Sequence, residues 1–133
     1  MSPDAAAQAS TTPPRVLVLD DDPFLLDIMS DMLASCGPYE IVTELDARQA
    51  LVRLDEKLPD LLICDLMLPE MDGIEFLQAA ASSGYHGKVI LLSALEDGVR
   101  EAAGELARAY GLQLVGSFRK PLDPVQLREV LEC

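Results

Sequence analysis

Tryptophan is absent from this sequence, and three Tyr with three Phe bring the aromatics to only 5% of its 133 residues. So sparse a set does not build the stacking platforms on which bases lie. Cations are scarce too: ten Lys and Arg stand against 23 Asp and Glu, a formal charge of −13. That balance repels the phosphate backbone of nucleic acids and anionic membrane surfaces, so neither is expected as a direct partner. No stretch approaches the roughly 18 consecutive apolar residues that would span a membrane. The opening 14 residues, rich in Ala, Ser, Thr and Pro, lack the apolar core of a secretory signal and are expected to be a disordered lead-in to a domain over 15–133. The three cysteines, Cys36, Cys64 and Cys133, form no CxxC pair and no ligand spacing with the lone His86, so neither a zinc site nor a disulfide framework is expected. A reduced, cytoplasmic setting fits that cysteine usage.

What the chain does have is a globular composition, half hydrophobic and a quarter charged, at the length of one ordinary domain. Short apolar runs alternate with helical patterns five times, which predicts βα units around a mainly parallel sheet, an α/β fold. Strands are expected over 15–20 (RVLVLD), 40–45, 60–65 (DLLICD), 88–93 (KVILLS) and 112–118. The first, third and fourth are unbroken apolar runs and belong at the centre of the sheet, covered on both faces. Between the strands lie helical stripes: Leu25, Ile28, Met29, Met32 and Leu33; Ala47, Ala50, Leu51 and Leu54; Ile74, Leu77 and Ala81; Val99, Ala102, Ala103, Leu106 and Tyr110; and Leu127, Val130 and Leu131. Pro23 and Asp72 stand where helices should begin, Gly37 and Gly111 where they should end. His86 reads as a loop histidine, Cys64 as a small buried hydrophobe, and the methionines as core fillers.

The informative residues are the polar ones at the strand ends. Asp20, Asp21 and Asp22 follow the first strand, Asp65 ends the third, Ser93 ends the fourth and Lys120 follows the fifth. A parallel sheet gathers all these ends along one edge, where ligands of open α/β sheets bind. Carboxylates about 5 Å apart repel by roughly 3 kcal/mol at an effective dielectric of about 20. A cluster of Asp20, Asp21 and Asp65 therefore calls for a cation, and hard oxygen donors without His or Cys select Mg²⁺. Such a site suits phosphoryl transfer, with Ser93 and Lys120 holding phosphate oxygens and a carboxylate as nucleophile. Asp22, directly before Pro23, reads as a helix cap.

Taken in order, the acidic pair of VLVLDDDP, the acid of ICDLMLPEMDG with Pro69 and Asp72-Gly73 after it, the serine of LLSAL and Lys120-Pro121 resemble the receiver domain of bacterial response regulators. The resemblance covers about residues 15–131 and implies a flavodoxin-like, doubly wound (βα)5 fold with sheet order 2-1-3-4-5 and helices on both faces. It also implies a phosphorylation-activated switch rather than an enzyme acting on an external substrate. Asp65 would be the phosphoryl acceptor, Asp20, Asp21, Asp65 and the backbone carbonyl of Met67 would hold Mg²⁺, and Ser93 and Lys120 would bind the phosphoryl group. The Lys120–Pro121 bond would be cis. The implied partners are a sensor histidine kinase or histidine phosphotransfer protein and an output domain or protein, acted on through the fourth helix, fifth strand and fifth helix, with room for a phosphorylation-dependent homodimer.

Where the family carries an aromatic three residues before the lysine, this chain has Ser117, and Phe118 beside it should face the opposite side of the strand. The stretch ARAYGLQLVGSFRKP is similar to receivers that accompany EAL-type cyclic di-GMP phosphodiesterase domains, although no such domain lies in this sequence. Met67 and Leu95, two residues beyond Asp65 and Ser93, are expected to shield an acyl phosphate from water. Two other readings compete. A haloacid dehalogenase-like phosphatase also forms an aspartyl phosphate, but it needs Asp-x-Asp, and Met67 stands at the second position. A receiver fold kept only for docking would be favoured by Ser117 and opposed by the intact acids, serine and lysine.

Overall fold

Five apolar runs become five parallel strands in the computed structural model, which describes residues 12–69 and 71–133. In chain order the elements are β1 (Arg15–Leu19), α1 (Pro23–Cys36), β2 (Glu40–Glu44), α2 (Ala47–Glu56), β3 (Leu61–Asp65), α3 (Gly73–Ser82), β4 (Lys88–Ser93), α4 (Asp97–Ala109), β5 (Gln113–Arg119) and α5 (Pro124–Leu131). The sheet order is β2-β1-β3-β4-β5, so the three unbroken apolar runs form its centre, as expected. Of the anticipated lead-in, residues 1–11 lie outside the described residues, while the Pro14 carbonyl accepts the Glu40 N–H.

Strand side chains alternate between two cores. Leu17, Leu19, Leu62, Cys64, Val89 and Leu91 pack with α2, α3 and α4; Val16, Val18, Leu61, Ile63, Ile90 and Leu92 pack with α1 and α5. Each such Leu or Ile, taken fully out of water, contributes about 1.5–3 kcal/mol before entropy is charged against it. The expected caps hold the helices in place. Asp22 accepts from the Phe24 N–H with Pro23 at the first helical position, Asp72 accepts from the Glu75 N–H, and Gly111 follows α4 at a left-handed φ of 88°.

Several expectations on detail are corrected. The buried face of α1 is Leu26, Met29 and Leu33, with Ile28 turned to solvent. On α3, Phe76 and Ala80 join Leu77 in the core, and on α4 the buried residues are Ala103, Gly104 and Ala107 while Val99 and Leu106 are exposed. Helices rich in apolar residues offer two overlapping stripes, and the sheet selects the one it can pack. β5 runs one residue later than expected, with a register break between Val89 and Ile90 that pairs them with Leu114 and Gly116 and leaves Val115 unpaired. Gly116 is the signal for that bulge.

The expectation of unpaired cysteines also fails. Cys36 and Cys133 are joined in a disulfide with Cα atoms 5.3 Å apart. They are 97 residues apart in sequence and meet only because α1 and α5 lie on the same sheet face, an adjacency that spacing along the chain cannot reveal.

Candidate functional site

Because every strand runs the same way, Asp20 after β1, Asp65 at the end of β3, Ser93 at the end of β4 and Lys120 after β5 meet at one rim. One ammonium joins the two buried acids: Lys120 Nζ donates to Asp20 Oδ2 at 2.7 Å and to Asp65 Oδ2 at 3.1 Å. The other oxygen of each carboxylate takes a backbone N–H, Asp20 Oδ1 from Asp22 at 2.9 Å and Asp65 Oδ1 from Met67 at 3.0 Å. Asp21 stands exposed at the rim, and carboxylate oxygens of Asp20, Asp21 and Asp65 come within 4.8 Å of one another. The three acids are thus brought together as the sequence predicts.

Ser93 is fully buried, and its hydroxyl accepts the Leu95 N–H at 2.9 Å while its carbonyl accepts the Lys120 N–H, also at 2.9 Å. It does not cap α4, whose N-cap is Glu96. The Lys120–Pro121 peptide is cis, as expected. Met67 places its N–H on Asp65 and is 53% exposed as a residue, whereas Leu95 packs partly against the core.

Burial pushes the Asp20 carboxyl above its ordinary range, opposed by its hydrogen bonds from Lys120 and the Asp22 amide. For Lys120 burial acts downward, but the hydrogen bonds to Asp20 and Asp65 outweigh it and hold the ammonium charged. Three acids face this single cation, so the cluster retains negative charge that a divalent ion would neutralise. All the side-chain donors are oxygens, a set that fits Mg²⁺. Cys64, beside the acceptor candidate, is inert: it is fully buried, its thiol lies well above the usual range first through desolvation, and its Sγ contacts the Asp65 carbonyl.

The loop over this edge is held by Gly73, whose N–H donates to the Leu66 carbonyl. A Cβ there would sit 2.5 Å from Leu66 Cα, so only glycine permits the approach. An apolar groove of about 470 Å³ adjoins Lys120, lined by Phe24, Leu25, Ile28, Met32, Pro121 and Leu122, with Phe24 72% exposed. Sequence reasoning missed this groove, although the exposed face of α1 begins in the apolar FLL after Pro23. It also missed Arg100, whose Nη1 donates to the Ser117 carbonyl at 3.1 Å while Nη2 pairs with Asp97. Phe118 faces the α1 and α5 core, on the other side of β5 as expected.

Residues 16–132 match the family model described as the response regulator receiver domain. Among curated proteins, the chain is 32% identical over 118 residues to the cyclic di-GMP phosphodiesterase RocR of Pseudomonas aeruginosa, covering 88% of this chain and 30% of that protein. It is 37% identical over 124 residues to a protein-glutamate methylesterase/protein-glutamine glutaminase of Nocardioides, covering 88% of this chain and 33% of that one. The chain therefore spans about a third of these relatives' length. Among solved structures, the chemotaxis protein CheY4 of Vibrio cholerae superposes with a TM-score of 0.76 at 28% identity, covering 90% of this chain and 97% of that one. A response regulator from Colwellia psychrerythraea superposes at 0.78 with 29% identity, covering 90% and 94%.

Proposed function

Since the chain belongs to the response regulator receiver family, we propose that this phosphorylation-dependent signalling domain accepts its phosphoryl group on Asp65. The observation that carries the reading is the joint engagement of Asp20 and Asp65 by the Lys120 ammonium, with Asp21 beside them. Asp65 Oδ2 is the oxygen bonded to the lysine, and on phosphorylation it attacks phosphorus while the bond to the donor's imidazole nitrogen breaks. Lys120 follows the negative charge onto a phosphate oxygen, and the Ser93 hydroxyl, which accepts the Leu95 N–H, donates its O–H to another. Asp20, Asp21, Asp65 and the Met67 carbonyl would hold Mg²⁺, which supplies compensation for the charge of the transferring group.

The donor is a histidine kinase or a histidine phosphotransfer protein. The groove from Phe24 to Leu122 supports docking of an apolar helical face next to the acceptor. Output runs through α4, β5 and α5, whose pre-existing equilibrium shifts when Ser93 at the end of β4 and the loop after it move inward. Likeness to the Pseudomonas aeruginosa cyclic di-GMP phosphodiesterase supports cyclic di-GMP turnover as the process under control. Incubation with Mg²⁺ and acetyl phosphate tests the central claim. A phosphoryl adduct on the wild type that is lost in Asp65→Asn is expected; an unmodified wild type would favour a docking module without phosphorylation.

A further inference from the structure

We propose that Cys36 and Cys133 are a reversible thiol–disulfide pair that locks the C-terminal helix α5 against α1, at the pole of the sheet opposite the acidic cluster. α1 begins just after Asp22 and α5 shortly after Lys120, so both helices start at the acidic rim and run away from it to finish together at the far end. Cys36 is the last residue of α1, and Cys133 lies two residues past α5. Their Cα separation of 5.3 Å lies within the roughly 4.4–6.8 Å that a disulfide spans.

Exposure distinguishes the three cysteines. Cys133 is exposed and Cys36 partly so, which lets small thiols and disulfides reach the bond. Cys64 is sealed in the core with its thiol pushed far from ionisation, so it does not compete in exchange. Solvent-accessible disulfides are the labile ones, which makes this bond a responsive element rather than a permanent staple.

The locked element is the one with most to gain. α5 has eight residues, of which only Leu127 is fully buried. A helix that short has little stability of its own and depends on its anchorage. The bond closes a loop of 97 residues and so restricts the unfolded chain as well as the helix end. A low-molecular-weight disulfide closes the pair. The Cys133 thiolate attacks one sulfur and expels a small thiolate that takes up a proton; the Cys36 thiolate then attacks the mixed disulfide and expels the second. Two protein thiols are oxidised to one disulfide, and the small disulfide is reduced to two thiols.

The proposal does not depend on phosphorylation at Asp65. The full chain is equilibrated in reduced or in oxidised glutathione, then denatured, alkylated and weighed, with melting temperature and α5 amide exchange followed in parallel. Reduced protein should take a label on each of its three cysteines and oxidised protein one, at Cys64, while remaining monomeric. The oxidised form should melt at least about 5 °C higher and exchange its α5 amides more slowly. Cys133→Ser should remove both differences. Three labels in oxidised glutathione, a disulfide-linked dimer, or equal melting and exchange in the two wild-type forms would each overturn the proposal. Acetyl phosphate labelling, run on both forms, separates the two readings: its absence from both refutes phosphorylation and leaves the clasp standing, and its loss on oxidation alone refutes the independence of the two poles.

Discussion

Asp65 and Cys64 are neighbours in one strand with opposite surroundings, and that contrast gives two predictions at the scale of single residues. Met67 is half-exposed and donates its backbone N–H to the Asp65 carboxylate, and its apolar side chain is expected to hinder water there. Met67→Asn should shorten the lifetime of the phosphorylated form by several-fold, read as the decay of the labelled protein; an unchanged decay refutes the shielding role. Cys64 is held neutral by burial beyond the ordinary 9.0 of a thiol, and Tyr85 likewise beyond the ordinary 10.0 of a phenol. The unfolded chain releases these protons at ordinary values while the folded chain keeps them. Their contribution is therefore complete below about pH 9 and is lost as pH rises above it. Urea midpoints should fall above that pH, and Cys64→Ala should make the first part of the fall shallower. The meeting of Asp20, Asp21, Asp65, Ser93 and Lys120 at one rim was legible because each ends or closely follows a strand, and the common strand direction does the rest. Arg100 was not, since a long side chain on a helix reaches a strand partner that no local pattern specifies.

At the scale of elements, the start of α3 is tightly constrained against the end of β3 at Gly73. Gly73→Ala would push a Cβ onto Leu66 Cα and the Asp65 carbonyl, both backbone. A cost of about 2 kcal/mol or more is expected by chemical denaturation, in the range of overpacking, together with slower phosphorylation because the Asp65 carbonyl is displaced. Strand positions and helix caps were readable because periodicity, Asp22-Pro23, Asp72 and Gly111 are local signals. Helix faces were not fully readable. α1 offers Leu25, Leu26, Ile28, Met29, Met32 and Leu33, and only packing against the sheet decides that Leu26, Met29 and Leu33 go inside. The bulge at Val115 and the Cys36–Cys133 bond likewise depend on which elements become neighbours.

For the molecule as a whole, a charge of −13 makes folding a gathering of negative groups, most acute at the rim where Asp20, Asp21 and Asp65 meet. Free Mg²⁺ at about 100 times its Kd should stabilise the fold by about 2.7 kcal/mol through mass action. NaCl at equal ionic strength should give only the smaller, general screening effect. Asp21→Asn should reduce the Mg²⁺ response while leaving the salt response in place. A melting temperature indifferent to millimolar Mg²⁺ would remove the metal from the site.

Lys120 is fastened to three strands at once: by its amide to the end of β4, and by its ammonium to the ends of β1 and β3. Whatever draws that nitrogen aside therefore slackens a junction shared by most of the sheet. If an anion placed at Asp65 captures that ammonium, Asp20 and Asp65 lose their shared partner together, and the loops after β1 and β3 are where the change is expected to be felt first.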